Sequence, residues 1–282
     1  MPSFVPVHHS TRLRPGRATE EHYGAVARVL DADSVTDALR EAGCVAAADE
    51  ASELLRCAEQ GGDLEAMVAR RQSGEPLAWI TGHTTFCGID ILMDAGVFVP
   101  RWQSESLATR AALLVGASGT AIDLCTGSGA IAKVLQSARP RATIVATELD
   151  PAAARCARRN GVTVYQGDLD EPLPRALKGT IDVMCGVLPY VPTEGLHLLP
   201  RDVLEFEPRR SLDGGPGGLK QLARAVARSV TWTRGGGWLL LEAGSDQVGG
   251  LADLMETSGY VDLDVIRDAD DDPRGMAGRL AR

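Results

Sequence analysis

The stretch Ala121-Ile-Asp-Leu-Cys-Thr-Gly-Ser-Gly-Ala-Ile-Ala132 constrains this chain more than any other. A short apolar run carrying Asp123 reaches Cys125, meets two glycines two apart, and continues as an Ala/Ile/Leu pattern at helical spacing through Leu135. Strand, tight glycine turn and helix start form the opening unit of a doubly wound nucleotide-binding sheet. Glycine is required where a ligand must touch the backbone, because a Cβ would hold the ligand off.

The rest of the chain extends that unit. Apolar, β-rich runs at 142–147, 162–166, 181–185, 238–241 and 260–266 alternate with helical patterns beginning at Pro151 and spanning 219–230 and 248–257. A last short strand is expected near 278–282, and the segment from about 186 to 218 reads as a loop rich in proline and charge. This alternation predicts an α/β fold, a doubly wound Rossmann-like sheet of about seven mostly parallel strands with helices on both faces. Upstream, Val26, Val29 and Leu30, then Val35, Ala38 and Leu39, then Ala51, Leu54, Leu55 and Ala58 recur at helical steps, with Gly43 and Gly61-Gly62 at the breaks. Three or four short helices are expected there. Gly74-Glu-Pro76 ends them, and 84–100 reads as a β-hairpin. The expected domains are a flexible tail over 1–18, a helical substrate-recognition domain over 19–75, a hairpin linker over 76–104 and the nucleotide-binding domain over 105–282.

A formal net charge of -9 argues against a general attraction to nucleic acid, although Arg12, Arg14, Arg17, His8 and His9 make the tail basic. No run approaches the roughly 18 apolar residues of a membrane span, and the N-terminal residues lack the apolar core of a secretory signal. Six cysteines are scattered without C-x-x-C pairs or a histidine spacing suited to zinc. A cytoplasmic protein with reduced cysteines, no metal, no nucleic-acid partner and no membrane partner is expected. Four acids between Asp268 and Asp272 read as a solvated turn before Pro273.

Gly127, Gly129 and Ala132 satisfy G-x-G-x-x-A, which fits several nucleotide cofactors. Glu148, nineteen residues beyond Gly129 at the end of the second strand, is placed to accept both hydroxyls of a ribose. Asp168, after the third strand, is placed to meet an adenine amino group, with a helix cap as its competing role. Asp123 lies where the amino group of a methionine moiety would arrive. Carboxylates crowded around one turn suit a cationic sulfonium and ammonium better than a pyrophosphate. The cofactor expected is therefore S-adenosyl-L-methionine (SAM), with an NAD-dependent oxidoreductase as the competitor. Its expected contacts are Asp123, Cys125, Thr126, Gly127, Gly129, Glu148, Leu149, Asp168, Leu169 and Gly186.

Beyond the fourth strand stands Val187-Leu-Pro-Tyr190, where chemistry is expected in such sheets. From about Gly74 onwards the chain resembles the HemK/PrmC protein-glutamine methyltransferases, and in particular a related branch of unknown substrate. The resemblance rests on Gly74-Glu-Pro-Leu-Ala-Trp-Ile-Thr-Gly82, Phe98-Val-Pro-Arg-Trp-Gln-Ser-Glu105, the glycine turn, Glu207-Pro208 and Leu212-Asp-Gly-Gly-Pro-Gly-Gly-Leu219. It implies a SAM-dependent enzyme that methylates a glutamine amide in the Gly-Gly-Gln loop of a peptide release factor, gripping it with an Asn-Pro-Pro-Tyr motif. In that grip the Asn oxygen and the next carbonyl accept the two amide hydrogens, and the Tyr ring packs on the amide plane.

This chain departs at Val187 and Leu188, leaving the Leu188 carbonyl, Pro189 and Tyr190 as half of the grip. An amide hydrogen buried against Val187 costs ~1–3 kcal/mol, up to roughly a hundredfold in rate if the loss falls in the transition state. Trp102 also replaces a proline usual in the family, at a place expected to reshape the pocket wall. Three outcomes stay open: weakened glutamine methylation, transfer to a small-molecule or peptide amine, hydroxyl or thiol, or SAM binding without turnover. For the second, His197, Glu194, Glu205 and Glu207 are candidate bases, each with solvated loop charge as its plainer role.

Overall fold

The computed structural model describes residues 31–282. The basic segment of Arg12, Arg14 and Arg17, and the apolar positions Val26, Val29 and Leu30, lie outside the described residues. Four helices come first: α1 (Ala32–Glu41), α2 (Ala47–Glu59), α3 (Leu64–Gln72) and α4 (Leu77–Thr81). Asp31 and Asp63 cap α1 and α3 by accepting the Ser34 and Ala66 amides at 2.9 and 3.1 Å. The helical faces read from the sequence meet in one core of Val35, Leu39, Ala51, Leu54, Met67, Val68 and Ile80. Helix α4 is too short for periodicity to announce it.

The hairpin is shorter than expected. Strands β1 (His83–Phe86) and β2 (Ile89–Leu92) flank a two-residue turn in which Cys87 and Gly88 have φ of 49° and 71°. That is a primed turn, tolerated at Cys87 because its N–H is held by Glu105 Oε1 at 2.7 Å. Residues 93–100 are irregular because their backbone groups pair elsewhere. Met93 N–H donates to the Gly82 carbonyl at 2.7 Å, and the Val97 carbonyl accepts from the Trp79 indole at 2.9 Å. The apolar residues there, Val97 and Val99, are buried all the same.

The remainder comprises α5 (Glu105–Leu114), β3 (Thr120–Leu124), α6 (Ala130–Ala138), β4 (Thr143–Glu148), α7 (Pro151–Arg159), β5 (Thr163–Gln166) and β6 (Ile181–Gly186). It continues through α8 (Arg201–Phe206), α9 (Lys220–Trp232), β7 (Thr233–Glu242), α10 (Val248–Thr257), β8 (Tyr260–Arg267) and β9 (Pro273–Leu280). Seven strands form one sheet in the order β5-β4-β3-β6-β7-β9-β8, parallel except where β9 pairs antiparallel with both neighbours. Two expectations need correction. Strand β9 begins at Pro273 rather than near 278, and α8 occupies part of the supposed loop. Pro273, Gly275 and Gly278 hide the strand in the sequence. Gly278 is there because Leu263 and Met255 pack where its Cβ would stand, 2.6 and 2.8 Å away.

Alternation along the central strands sorts side chains to two faces. Ala121, Val183, Cys185 and Leu240 face a core shared with Leu107, Ala111 and Leu135 of α5 and α6. Ile122, Leu124, Met184, Leu239 and Leu241 face one shared with Leu222, Val226 and Leu251 of α9 and α10. Each Val, Leu, Ile or Met among them contributes ~1.5–3 kcal/mol by leaving water, and Ile122→Ala would cost ~2–5 kcal/mol. Strand order reverses between β3 and β6, which opens a crevice beyond their carboxyl ends.

Candidate active site

Two cavities meet at that crevice. The first, about 200 Å³, is walled by Asp123, Cys125, Thr126, Gly127, Glu148, Leu149, Asp168 and Leu169 from the tips of β3, β4 and β5, and by Val187, Leu188 and Pro189 after β6. The three strand-tip carboxylates therefore converge on one space. Gly127 has φ of 58°, and open space lies where its Cβ would stand. Gly129 and Gly186 do not reach the cavity. A Cβ on Gly129 would stand 2.9 Å from Val162, and one on Gly186 2.6 Å from the Leu124 carbonyl oxygen. Their role is close packing of chain on chain. Cys125 and Leu169 hold φ of 53° and 48°, so two side-chain-bearing residues sit in the left-handed region at this cavity. Such strain gathers where a fold over-determines a functional turn.

Asp123 is buried. Its Oδ2 accepts from the Thr126 hydroxyl and, at 3.1 Å, from the Ala132 amide, while Oδ1 has no partner among the described residues. Burial pushes its carboxyl up to about 7, against those two hydrogen bonds, with Glu148 adding a smaller push. A buried carboxylate with an idle oxygen is the natural seat for a cation. Glu148 is used differently: Oε2 accepts the Gly127 amide at 2.9 Å and Oε1 the Asp150 amide at 2.8 Å. Each oxygen keeps a second lone pair for a ligand hydroxyl. Burial raises Glu148, opposed by those amides. It also pushes the Cys125 thiol up, so Cys125 is no thiolate. Asp168 is tied by Arg224, whose guanidinium donates to Oδ2 at 2.6 Å. These donors and acceptors fit a sulfonium cofactor with an ammonium, a ribose and an adenine amino group.

The second cavity, about 820 Å³, lies between the α1–α2 turn and the sheet. It shares Phe98, Val187, Leu188 and Ser211 with the first, so Val187 and Leu188 stand at the passage between them. Tyr190 lines the second cavity and donates its hydroxyl to Glu242 Oε1 at 2.9 Å. Burial and the neighbouring Glu242 raise the Tyr190 phenol, which stays protonated. The loop is held rigid from behind. Val191 exchanges backbone hydrogen bonds with Leu212 and Gly214 at 3.0 and 2.8 Å, and Gln247 Nε2 donates to the Tyr190 carbonyl at 2.7 Å. A Cβ on Gly214 would lie 2.7 Å from the Tyr190 Cα, which is why the Leu212–Leu219 stretch is so rich in glycine.

None of the four candidate bases lines either cavity. Glu194, His197 and Glu205 are exposed. Glu207 is the correction among them, because it is buried rather than solvated, its carboxylate paired with Arg101. Trp102 is likewise absent from both walls; it is 55% exposed with Arg274 stacked 5.8 Å from its ring. Asp268 accepts the Asp270 and Asp272 amides at 3.0 Å each, so the acids form a turn as expected, but Asp268 itself is not solvated: its side chain is buried and paired with Arg274 at 2.6 Å. All six cysteines are free, but only Cys156 and Cys185 are buried. Sequence reasoning missed Arg224 on the first cavity, and Glu242 and Arg274 on the second. Glu242 was findable, since it ends a buried strand as Glu148 does.

No family model matches the chain. A release factor glutamine methyltransferase of Geobacter sulfurreducens is 33% identical over 76% of this chain and 76% of its own length. One from Moorella thermoacetica is 40% identical over 68% of this chain and 70% of its own. A 4-amino-L-phenylalanine/4-methylamino-L-phenylalanine methyltransferase of Streptomyces pristinaespiralis is 34% identical over 80% of this chain and 86% of its own. Among solved structures, a methyltransferase from Pyrococcus furiosus superposes with a TM-score of 0.51 at 16% identity, covering 77% of this chain and 98% of that one, which supports the fold. Among the described residues no helix is long and apolar enough to cross a membrane. With a cavity suited to SAM and relatives of this kind, the chain belongs to the release factor glutamine methyltransferase (HemK/PrmC) family and is a SAM-dependent methyltransferase.

Proposed function

We propose that this enzyme methylates an amine nitrogen on a small molecule or peptide in preference to the side-chain amide of glutamine. The observation that carries this reading is Val187, an apolar side chain at the passage between the two cavities. An amide nitrogen is a feeble nucleophile and needs both hydrogens gripped so that its lone pair faces the methyl group. Of the two acceptors in that grip only the Leu188 carbonyl remains, with no hydrogen-bond donor on it among the described residues. An amine carries its own lone pair and needs alignment alone. A void of about 820 Å³ is ample for a small acceptor, and one relative is named as a methyltransferase of 4-amino-L-phenylalanine, a small molecule that carries an amine.

On this reading Asp123 Oδ1 takes the ammonium of SAM, Glu148 its ribose hydroxyls and Asp168 its adenine amino group. Gly127 allows the close approach. SAM supplies an electrophilic methyl carbon. The residues of the chain hold donor and acceptor in line and exclude water, with the Tyr190 ring and Phe98 as walls.

The test supplies labelled SAM with an amine panel that includes 4-amino-L-phenylalanine, alongside a Gly-Gly-Gln loop peptide. The expected result is a kcat/KM for one or more amines at least about tenfold above that for the peptide. Preference for the peptide would restore the release-factor reading, which Tyr190 and the free Leu188 carbonyl favour.

A further inference from the structure

Glu242 ends β7 beside the tip of β6, where Leu241 pairs with Gly186. It is 3% exposed, in the wall of the second cavity. Tyr190 occupies Oε1, and Oε2 has no hydrogen-bond partner among the described residues. The Ser104 hydroxyl lies close enough to pull on the carboxylate but makes no hydrogen bond of normal geometry to it, and the neighbouring cations do not serve it. Arg101 is taken by Glu207, and Arg274 by Asp268 and Asp272. Glu207 also has an idle buried oxygen, but it is charge-paired and lines neither cavity. Among the described residues Gln103 Oε1 is likewise buried and unpartnered on the second cavity, but an amide oxygen cannot take up a proton as the Glu242 carboxylate can. A site tolerates such an oxygen where a donor arrives to meet it.

We propose that Glu242 supplies the hydrogen-bond acceptor that position 187 lacks, with Oε2 receiving an N–H of the acceptor nitrogen and Tyr190 fixing the carboxylate through Oε1. The inference rests on the amine reading for the identity of the donor, but a glutamine amide presents an N–H as well. As the nitrogen bonds to the methyl carbon, the carbon–sulfur bond breaks with its pair going to sulfur, and the N–H proton passes to Oε2. A sulfonium and a carboxylate thus become a thioether and a carboxylic acid. Burial raises the Glu242 carboxyl above its ordinary range, against the pull of Ser104, Tyr190 and Arg274. That suits a group that must hold a proton in passing.

Glu242→Gln tests this, because it keeps an oxygen for Tyr190 and turns the Oε2 position into a donor. Wild type and variant are compared on the amine panel and on the Gly-Gly-Gln peptide, with SAM affinity from calorimetry. The expected result is a fall of about tenfold or more in kcat/KM on whichever acceptor wild type methylates, with SAM affinity within about twofold. If the variant does not fold, Tyr190→Phe takes its place, with a fall of about threefold to tenfold expected. Unchanged kcat/KM in the tested variant overturns the assignment. If wild type methylates only the peptide and Glu242→Gln loses it, the amine reading falls and Glu242 stands. If amines turn over and Glu242→Gln is unimpaired, the reading stands and Glu242 falls. Turnover of neither acceptor by wild type sinks both.

Discussion

The two cavities that meet at Val187 and Leu188 are walled by tips of the same sheet, yet they are finished in opposite ways. On the cofactor side three strands in succession end in acids, Asp123, Glu148 and Asp168, and each acid is oriented by the protein itself through Thr126, the Gly127 and Asp150 amides, or Arg224. On the acceptor side the strand ends in apolar Val187-Leu188, and the polar group nearest in kind is Glu242, from a different strand. On the proposed reading, cofactor binding is distributed over several anchored carboxylates, whereas the grip on the acceptor nitrogen turns on position 187, the Leu188 carbonyl and Glu242.

The sharpest way to break this contrast is Asp123→Asn. The amide keeps an oxygen for Thr126 and Ala132 but loses the charge, and removing one partner of a buried ion pair costs ~3–5 kcal/mol. SAM affinity should fall more than about a hundredfold, read by calorimetry. Stability should move the other way. Unfolded, this carboxyl loses its proton near its ordinary 3.8; folded, it holds it to about 7. Stability is therefore lost as pH rises through that window, by roughly 4 kcal/mol if the whole shift counts. Without cofactor the variant should melt higher than wild type above neutral pH. A lower melting point would mean that the negative charge supports the fold.

Val187→Asn comes next, because it would make the acceptor side resemble the family's grip. If Leu188 and Tyr190 still form their half, methylation of a Gly-Gly-Gln peptide should rise about tenfold, the worth of one recovered hydrogen bond to an otherwise unmatched N–H. No rise would mean that the neighbouring Leu188 or the cavity shape also excludes the amide.

How legible these regions were in the sequence follows the same division. The glycine turn and the acid after each strand announced the cofactor side, because a parallel strand must be apolar until it emerges from the sheet. What stayed hidden was the anchoring. The sequence could not say that Arg224, from a helix more than fifty residues later, ties Asp168, nor that a side chain at Gly129 would strike Val162 and Ala157. The acceptor side was legible only as a departure, since nothing local to Val187 points across to Glu242. Strand β9 and helix α8 went unread for a related reason. Their residues are chosen for partners on other elements, and local propensity is weak evidence there.

A milder test uses pH. Because Asp123 must be ionised to hold an ammonium, SAM binding should strengthen as pH rises through about 7. The charged fraction grows from about one-tenth at about pH 6 to nine-tenths at about pH 8, so affinity should rise about tenfold between them. In Asp123→Asn this dependence should vanish. A dependence that persists would belong to another group, with Glu148, also raised by burial, as the first suspect.

The smallest effect expected is at Arg224, and it bears on whether anchoring matters at all. Arg224 and Asp168 are each about a third exposed, at 33% for both side chains, so their attraction is screened by solvent. Arg224→Leu would free the Asp168 carboxylate to swing but remove no ligand contact assigned here. One oxygen of Asp168 is already committed to Arg224, leaving Oδ1 for an adenine amino group, so the loss is one of orientation alone. About twofold to fourfold weaker SAM binding is expected, with acceptor KM unchanged. If binding instead tightens, the guanidinium competes with the adenine for Asp168, and the carboxylates of this cavity are neutralised by the protein rather than held ready by it.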